Sequence, residues 1–306
     1  MNGLELAKRY YEEAGRDALA HAFPDLFLRM AVGLAGEGSE CFGYDDEISR
    51  DHDWGAAFCI WLEEEDYQAF GAEVQAVYDS LPDAVGGYPR RKSSETAAGR
   101  DGVLCTADWY RKYTGCPRGP ETLSQWRRVP EAFLATAVNG EVFHDPLGIF
   151  SAVRQKLLAF YPEDIRIKKI AARAATMAQA GQYNYSRCMQ RGEYLAAELA
   201  KVEFIKAALS MLHLLNRAYA PYYKWIYRSA RQLPKLARAA EKTECLARQN
   251  GREAAETIEA ICILVGAELR RQGLTERQTD FLIDICSDLM QHIEDPYLRN
   301  SSFMQE

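Results

Sequence analysis

Asp51 and Asp53 flank His52 at the end of the stretch Gly38–Asp53, GSECFGYDDEISRDHD, and Ser39 of the Gly38-Ser39 pair precedes Asp51 by twelve residues. The Asp51-His52-Asp53 triplet opens an apolar run, Trp54 to Leu62. In a strand, residues i and i+2 point to one face, so a strand here projects both carboxylates together and turns His52 away, toward the core. Two carboxylates that close repel unless a cation or a shared proton intervenes. Oxygen ligands of this kind suit Mg²⁺ (or Mn²⁺), which binds through one or two carboxylates plus substrate phosphates. Asp51 and Asp53 are therefore the candidate metal ligands.

Before them, Met30–Ala35 reads as a short buried strand, and Gly36, Gly38 and Ser39 form a small-residue turn. Such a turn lets backbone N–H groups approach a phosphate, and the Ser39 hydroxyl adds a donor. A Gly-Ser turn after one strand, then Asp-x-Asp opening a second, resembles the nucleotidyltransferase superfamily, whose fold is DNA polymerase β-like. Taken singly, Asp-x-Asp is common on loops and Gly-Ser is an ordinary turn signal. The chain also resembles the DUF4037 family over most of residues 28–235. The shared residues are Gly38-Ser39, Asp51-His52-Asp53, Gly140–Gly148 (GEVFHDPLG), Tyr161–Asp164 (YPED) and Tyr219–Trp225 (YAPYYKW).

That resemblance implies a metal-dependent nucleotidyltransferase. It would move an NMP group from a nucleoside triphosphate, ATP first among them, to a hydroxyl of a small molecule or protein, releasing pyrophosphate. A third carboxylate completes such a site. Asp145, ending a strand over Glu141–Asp145, is the first choice, with Glu141 and Asp101 behind it; a turn-forming Asp before Pro146 is the equal alternative. Lys224, within the shared Tyr219–Trp225 block, would reach the triphosphate, or would snorkel with its stem on Tyr and Trp. Arg187 and Arg191 lie four residues apart on one helical face and would bind phosphate, or pair with Glu193. Arg90, Arg91 and Lys92 would close over a nucleotide or simply solubilise a loop. A second class of function is a nucleotide-binding sensor or antitoxin-like partner without turnover.

The elements that must position these residues form an α+β protein. A nucleotidyltransferase-like mixed sheet with flanking helices is expected over residues 1–146, and an α-helical, nucleotide-closing domain over 147–306. In the first, a helix spans 3–22, a second helix runs from Asp66 to Leu81, and 83–101 is a long loop. A strand, Gly102–Thr106, leads into a helix carrying Trp109. In the second, helices are expected at 148–160, 163–188, 191–219, 222–232, 234–249, 252–272 and 275–293. The Ile258, Ile261, Ile263 and Leu264 face reads as core, with an oligomer interface as the alternative.

The 306 residues are 48% hydrophobic and 26% charged, ordinary for a globular protein. A net charge of −7 disfavours bulk nucleic acid as partner, without excluding a tRNA end. None of the eight cysteines sits in a Cys-x-x-Cys pair, which suits reduced thiols in a cytoplasm. No apolar run reaches membrane-spanning length and no signal peptide is evident, so no membrane partner and a cytoplasmic location are expected.

Overall fold

A computed structural model describes residues 1–50, 53–92 and 99–305. The chain is α+β, as expected, and its contacts separate two units. A sheet unit comprises residues 1–120 and 133–159; a helical unit comprises 121–132 and 160–306.

In the sheet unit, strands β1 (Ala31–Leu34), β2 (Cys59–Leu62), β5 (Gly102–Cys105) and β6 (Glu141–His144) lie in the order β5-β2-β1-β6. β1 runs antiparallel to both neighbours, and β2 and β5 are parallel. Side-chain alternation gives each face its own core. Val32, Ile60 and Leu62 face Leu6, Tyr10, Leu19, Val74 and Tyr78. The opposite face presents Trp61, which stacks on Phe150 at 4.0 Å and meets Trp109 edge-on at 5.6 Å. Gly33 is required where β6 approaches β1, because a Cβ there would lie 2.3 Å from the Glu141 carbonyl oxygen.

The expected N-terminal helix begins on a capping box made by Asn2 and Glu5 and continues to Ala22, with a π-turn at Tyr11–Gly15. The expected helix from Asp66 to Leu81 forms as Glu64–Asp79. Two local expectations are corrected. Residues 54–58 do not extend the second strand: β1 has only four residues, so the ladder ends at the Gly33–Cys59 pair. Instead Ala56 N–H donates to Pro89 at 2.9 Å and Arg91 N–H donates to Ala56 at 3.1 Å. The same pairing orders part of the expected 83–101 loop, where β3 (Ala84–Val85) and β4 (Tyr88–Pro89) make a two-stranded ribbon.

The helical unit is built on two helices, the first buried around most of its circumference and the second over its C-terminal half. Glu163–Met177 buries Ile165, Ile167, Ile170, Ala174 and Met177, and Tyr194–Leu215 buries Ala207 to Leu215. The expected helix over 163–188 forms, and it continues past Met177 through a π-helical run, Ala178–Tyr185, to Gln190. There Gly181 admits the ring of Phe204, which would lie 2.2 Å from an added Cβ. Ile258 and Ile261 are core, whereas Ile263 is exposed. The expected helix over 275–293 is only Cys286–Gln291, preceded by a 3₁₀ turn, Leu282–Ile285. Thr275 and Arg277 both donate to Asp288, at 2.6 and 2.9 Å, and these side-chain bonds hold the preceding residues out of the helix.

Two basic side chains are buried for structural reasons. Lys168 donates to Ser301 Oγ at 2.7 Å and to the Ser302 carbonyl at 2.6 Å, and burial draws its pKa down to about 8. His213 is fully enclosed, with its ring nitrogens 2.7 Å from the Leu209 carbonyl and 2.9 Å from Ser229 Oγ. Burial lowers its pKa from 6.5 to about 4. The unfolded chain therefore takes up a proton that the folded one refuses, and stability falls as pH drops from about 6.5 toward 4. This contribution has a slope of up to about 1.4 kcal/mol per pH unit. Urea denaturation across that window should show a shallower slope for His213→Gln; an unchanged slope would assign the acid sensitivity elsewhere.

Candidate functional site

The turn after β1 begins the candidate site. Gly36 has φ +118° and Gly38 φ +127°, conformations that favour glycine. Asn139 clamps the turn in both directions, accepting from Gly36 N–H at 2.8 Å and donating to the Gly36 carbonyl at 2.7 Å. Arg154 in turn donates to the carbonyls of Asn139 and Gly140 at 2.9 and 3.0 Å. Ser39 is half-buried and leads into a single 3₁₀ turn, Glu40–Phe42.

Beneath the turn lies a chain of charges. Glu40 is 3% exposed, and its Oε1 is 2.6 Å from Arg91 Nη2. Arg91 also meets Asp101 at 3.4 Å. Arg100 contacts the same Glu40 oxygen at 3.4 Å, donates to the Glu37 carbonyl at 3.0 Å, and approaches Asp53 Oδ2 to 3.8 Å. Asp101, Arg91, Glu40, Arg100 and Asp53 thus form one connected series. Burial works against the Arg91 charge, but Glu40 and Asp101 outweigh it and hold its pKa above the ordinary value. Beside this series, Asp45 Oδ2 accepts from Gly3 N–H at 2.8 Å and from the Trp54 indole at 3.2 Å.

Asp53 takes φ +50°, outside strand geometry, so strand alternation does not orient its carboxylate. Asp51 and His52 lie outside the described residues. Among the described residues, no group of three His, Cys, Asp or Glu side chains is arranged as a metal site. The available donors are the half-buried carboxylates of Asp53 and Asp101, 16% and 18% exposed, and such hard oxygens fit Mg²⁺ or Mn²⁺ chemistry. Asp145 follows β6 as expected, and its Oδ2 accepts from Ser151 N–H at 2.7 Å at the start of the helix Ile149–Leu158. Glu141 pairs with Lys8 at 2.6 Å, and both side chains are over 40% exposed.

The two cysteines under the turn, Cys41 and Cys59, are buried free thiols. Burial pushes the Cys59 thiol up to about 12 and the Cys41 thiol well above its ordinary value. His144 is packed against Phe27, ring centroids 4.2 Å apart, with Nε2 2.9 Å from the Phe27 carbonyl.

Lys224, Arg187 and Arg191 belong to the helical unit. Lys224 is exposed on the first turn of the helix Tyr223–Ala230, with Nζ 4.9 Å from the Trp225 ring centroid. Arg187 is exposed over the Tyr183 ring at 4.6 Å, and Arg191 ends the short helix Ser186–Gln190. Of the three basic residues expected in a loop, Arg90 lies over Tyr78 at 4.6 Å, Arg91 is the buried partner of Glu40, and Lys92 is exposed.

Sequence reasoning missed Glu40 and Arg100 and misread Arg91. Glu40 carried one available signal, a charge directly after the Gly-Ser pair and before apolar Cys41 and Phe42. Nothing in Arg90-Arg91-Lys92 distinguishes the one that is buried.

Residues 126–226, about a third of the chain, match the family model described as domain of unknown function DUF4037, the family the sequence resembles. The match includes the Gly140–Gly148, Tyr161–Asp164 and Tyr219–Trp225 blocks and leaves out Gly38-Ser39 and Asp51–Asp53. No curated protein matches the chain. Among solved structures, the chain is similar to a nucleotidyltransferase-like protein from Exiguobacterium sibiricum 255-15, at 10% identity and a TM-score of 0.38, over 92% of this chain and 81% of that one.

The buried pair makes a sharp prediction. Glu40→Gln leaves Arg91 short of its closest counter-charge and should cost about 3 kcal/mol in urea denaturation. Adding Arg91→Met should recover part of that loss. A Glu40→Gln protein as stable as the parent would show that the pair does not hold the turn.

Proposed function

We propose that the chain is a metal-dependent nucleotidyltransferase whose reacting groups lie in the sheet unit. One observation carries the reading: Arg100 joins the Gly-Ser turn to Asp53, contacting the Glu37 carbonyl at 3.0 Å and the Asp53 carboxylate at 3.8 Å. A glycine turn of the kind that accommodates phosphate therefore stands beside a half-buried carboxylate. Asp51 and Asp53 would hold the metal, and the metal would supply charge stabilisation for the transferring phosphoryl group.

In the proposed reaction, an acceptor hydroxyl attacks the α-phosphorus of a nucleoside triphosphate, ATP first among them. The new P–O bond forms as the bond to the β-phosphate breaks, and pyrophosphate leaves. Gly38 and Ser39 bind the β- and γ-phosphates. The hydroxyl proton passes to a carboxylate, a transfer worth roughly 10²–10⁴-fold in rate. For that acceptor, the series linking Asp101 through Arg91, Glu40 and Arg100 to Asp53 supports Asp101 above Asp145, whose Oδ2 caps a helix. Lys224, Arg187 and Arg191 are proposed as further phosphate-binding cations, and the acceptor as a small molecule or a protein.

A second reading, nucleotide binding without turnover, is favoured by the guanidinium of Arg100 against Asp53, a cation where the enzyme places metal. One assay separates the two. Incubation with each α-³²P-labelled nucleoside triphosphate, Mg²⁺ or Mn²⁺ and size-fractionated lysate should move label to an acceptor and release pyrophosphate. Asp53→Asn should lower that rate at least about 10²-fold. Saturable nucleotide binding with no label transferred in any fraction would leave the sensor reading in its place.

A further inference from the structure

The helical unit contains a cavity of about 510 Å³ that the reaction described above does not use. That volume lies within the roughly 300–1,000 Å³ range of small-molecule sites. Its wall carries Lys169 and Arg173 from the helix Glu163–Met177, Lys206 and Ser210 from the helix Tyr194–Leu215, and Glu131. With Glu203 at the edge, three cations meet two carboxylates, so the lining has a surplus of one positive charge.

Lys169 and Arg173 are spaced by one helical turn and emerge on the same face. Lys169 is only 4% exposed, and its ammonium lies 5.5 Å from the Tyr161 ring centroid. Arg173 is already oriented: its Nε donates to Ser210 Oγ at 2.8 Å, its Nη2 is 3.6 Å from Glu131, and Ser210 donates to Glu131 at 2.8 Å. A guanidinium held in this way keeps one orientation at the cavity wall. Lys206 stands at the rim, 64% exposed and 3.0 Å from Glu203. All the lining residues, Pro130 to Ile226, fall inside the stretch that matches the family model.

We propose that this cavity binds a small molecule bearing a phosphate or carboxylate group, with Lys169, Arg173 and Lys206 taking the anion. Glu131 accepts from a hydroxyl of the same ligand, and Tyr223 and Ile226 cover its apolar part. The same charge balance disfavours a polycationic ligand. The proposal stands without nucleotidyl transfer, since none of the residues it uses is given a part in that reaction.

Calorimetric titration of the full chain in EDTA with pyrophosphate, glycerol 3-phosphate, citrate and spermidine tests it. At least one of the three anions should bind saturably with Kd below about 1 mM, and spermidine should not. The arm that binds, phosphate or citrate, distinguishes the two sources of anion. Arg173→Gln and the rim variant Lys206→Glu should each weaken binding about tenfold or more, while Asp53→Asn leaves it unchanged. Thermal melting checks that the variants fold, and Lys206→Glu decides if Arg173→Gln does not. Failure of all three anions, spermidine binding instead, wild-type affinity in Lys206→Glu, or loss of binding in Asp53→Asn would each overturn the proposal. None of these outcomes alters label transfer, so the two proposals fail separately.

Discussion

The contact between Arg91 and Glu40 is the constraint on which the sheet unit's candidate site depends. Both side chains are almost wholly removed from water, and neither charge is affordable there alone. Their attraction ties the residue after the Gly-Ser pair to the segment that follows the β3–β4 ribbon. Through Arg91 and Arg100 it also ties both to Asp101 and Asp53. Four segments far apart in sequence thus meet at one ion network: the turn after β1, the residue before Trp54, the strand-like run at Arg91, and the entry to β5. A buried pair of this kind adds little net stability over an apolar pair, but it tolerates only one arrangement. Here the one arrangement puts carboxylates beside the Gly-Ser turn.

The helical unit solves a different problem with the same economy. One helix buried around most of its circumference and the buried half of a second form its centre, and both also carry charge. Lys168 and Lys169 are neighbours in sequence, yet they diverge. Lys168 anchors the segment at Ser301 and Ser302, and Lys169 lines the cavity. Adjacent residues on a helix are about 100° apart, so one buried helix can serve both faces. The π-helical run that follows shifts the phase of the helix and brings Gly181 against Phe204.

Much of the architecture was legible. Local periodicity placed the helices that became Glu64–Asp79, Ile149–Leu158, Tyr194–Leu215 and Gly251–Arg271, each with boundaries within a few residues except Tyr194–Leu215. The short apolar runs that became β1, β5 and β6 were also visible. Failures came where a bond to a residue distant in sequence replaced the expected local one. Asp288 drew Thr275 and Arg277 out of the expected helix, and pairing with Pro89 and Arg91 drew Ala56 out of the expected strand. Neither competitor lies next to the residues it displaces, so no local pattern carries it.

By itself, the sequence determined the residue types available for chemistry: a Gly-Ser turn, an Asp-x-Asp triplet, and no cysteine pair spaced to hold a metal. It also determined the α+β order, because hydrophobic period is a local property of the chain. Only the tertiary structure decided which charges meet. It selected Arg91 from three adjacent basic residues, brought Glu40 and Arg100 into the candidate site, and gave Asp145 a capping bond to Ser151. The cavity of Lys169, Arg173 and Glu131 was likewise invisible beforehand, since its walls come from separate segments, 130–132, 169–176, 203–210 and 220–226. The reason is physical: burial makes an ionic group depend on whatever partner the fold supplies, and sequence distance places no limit on that partner.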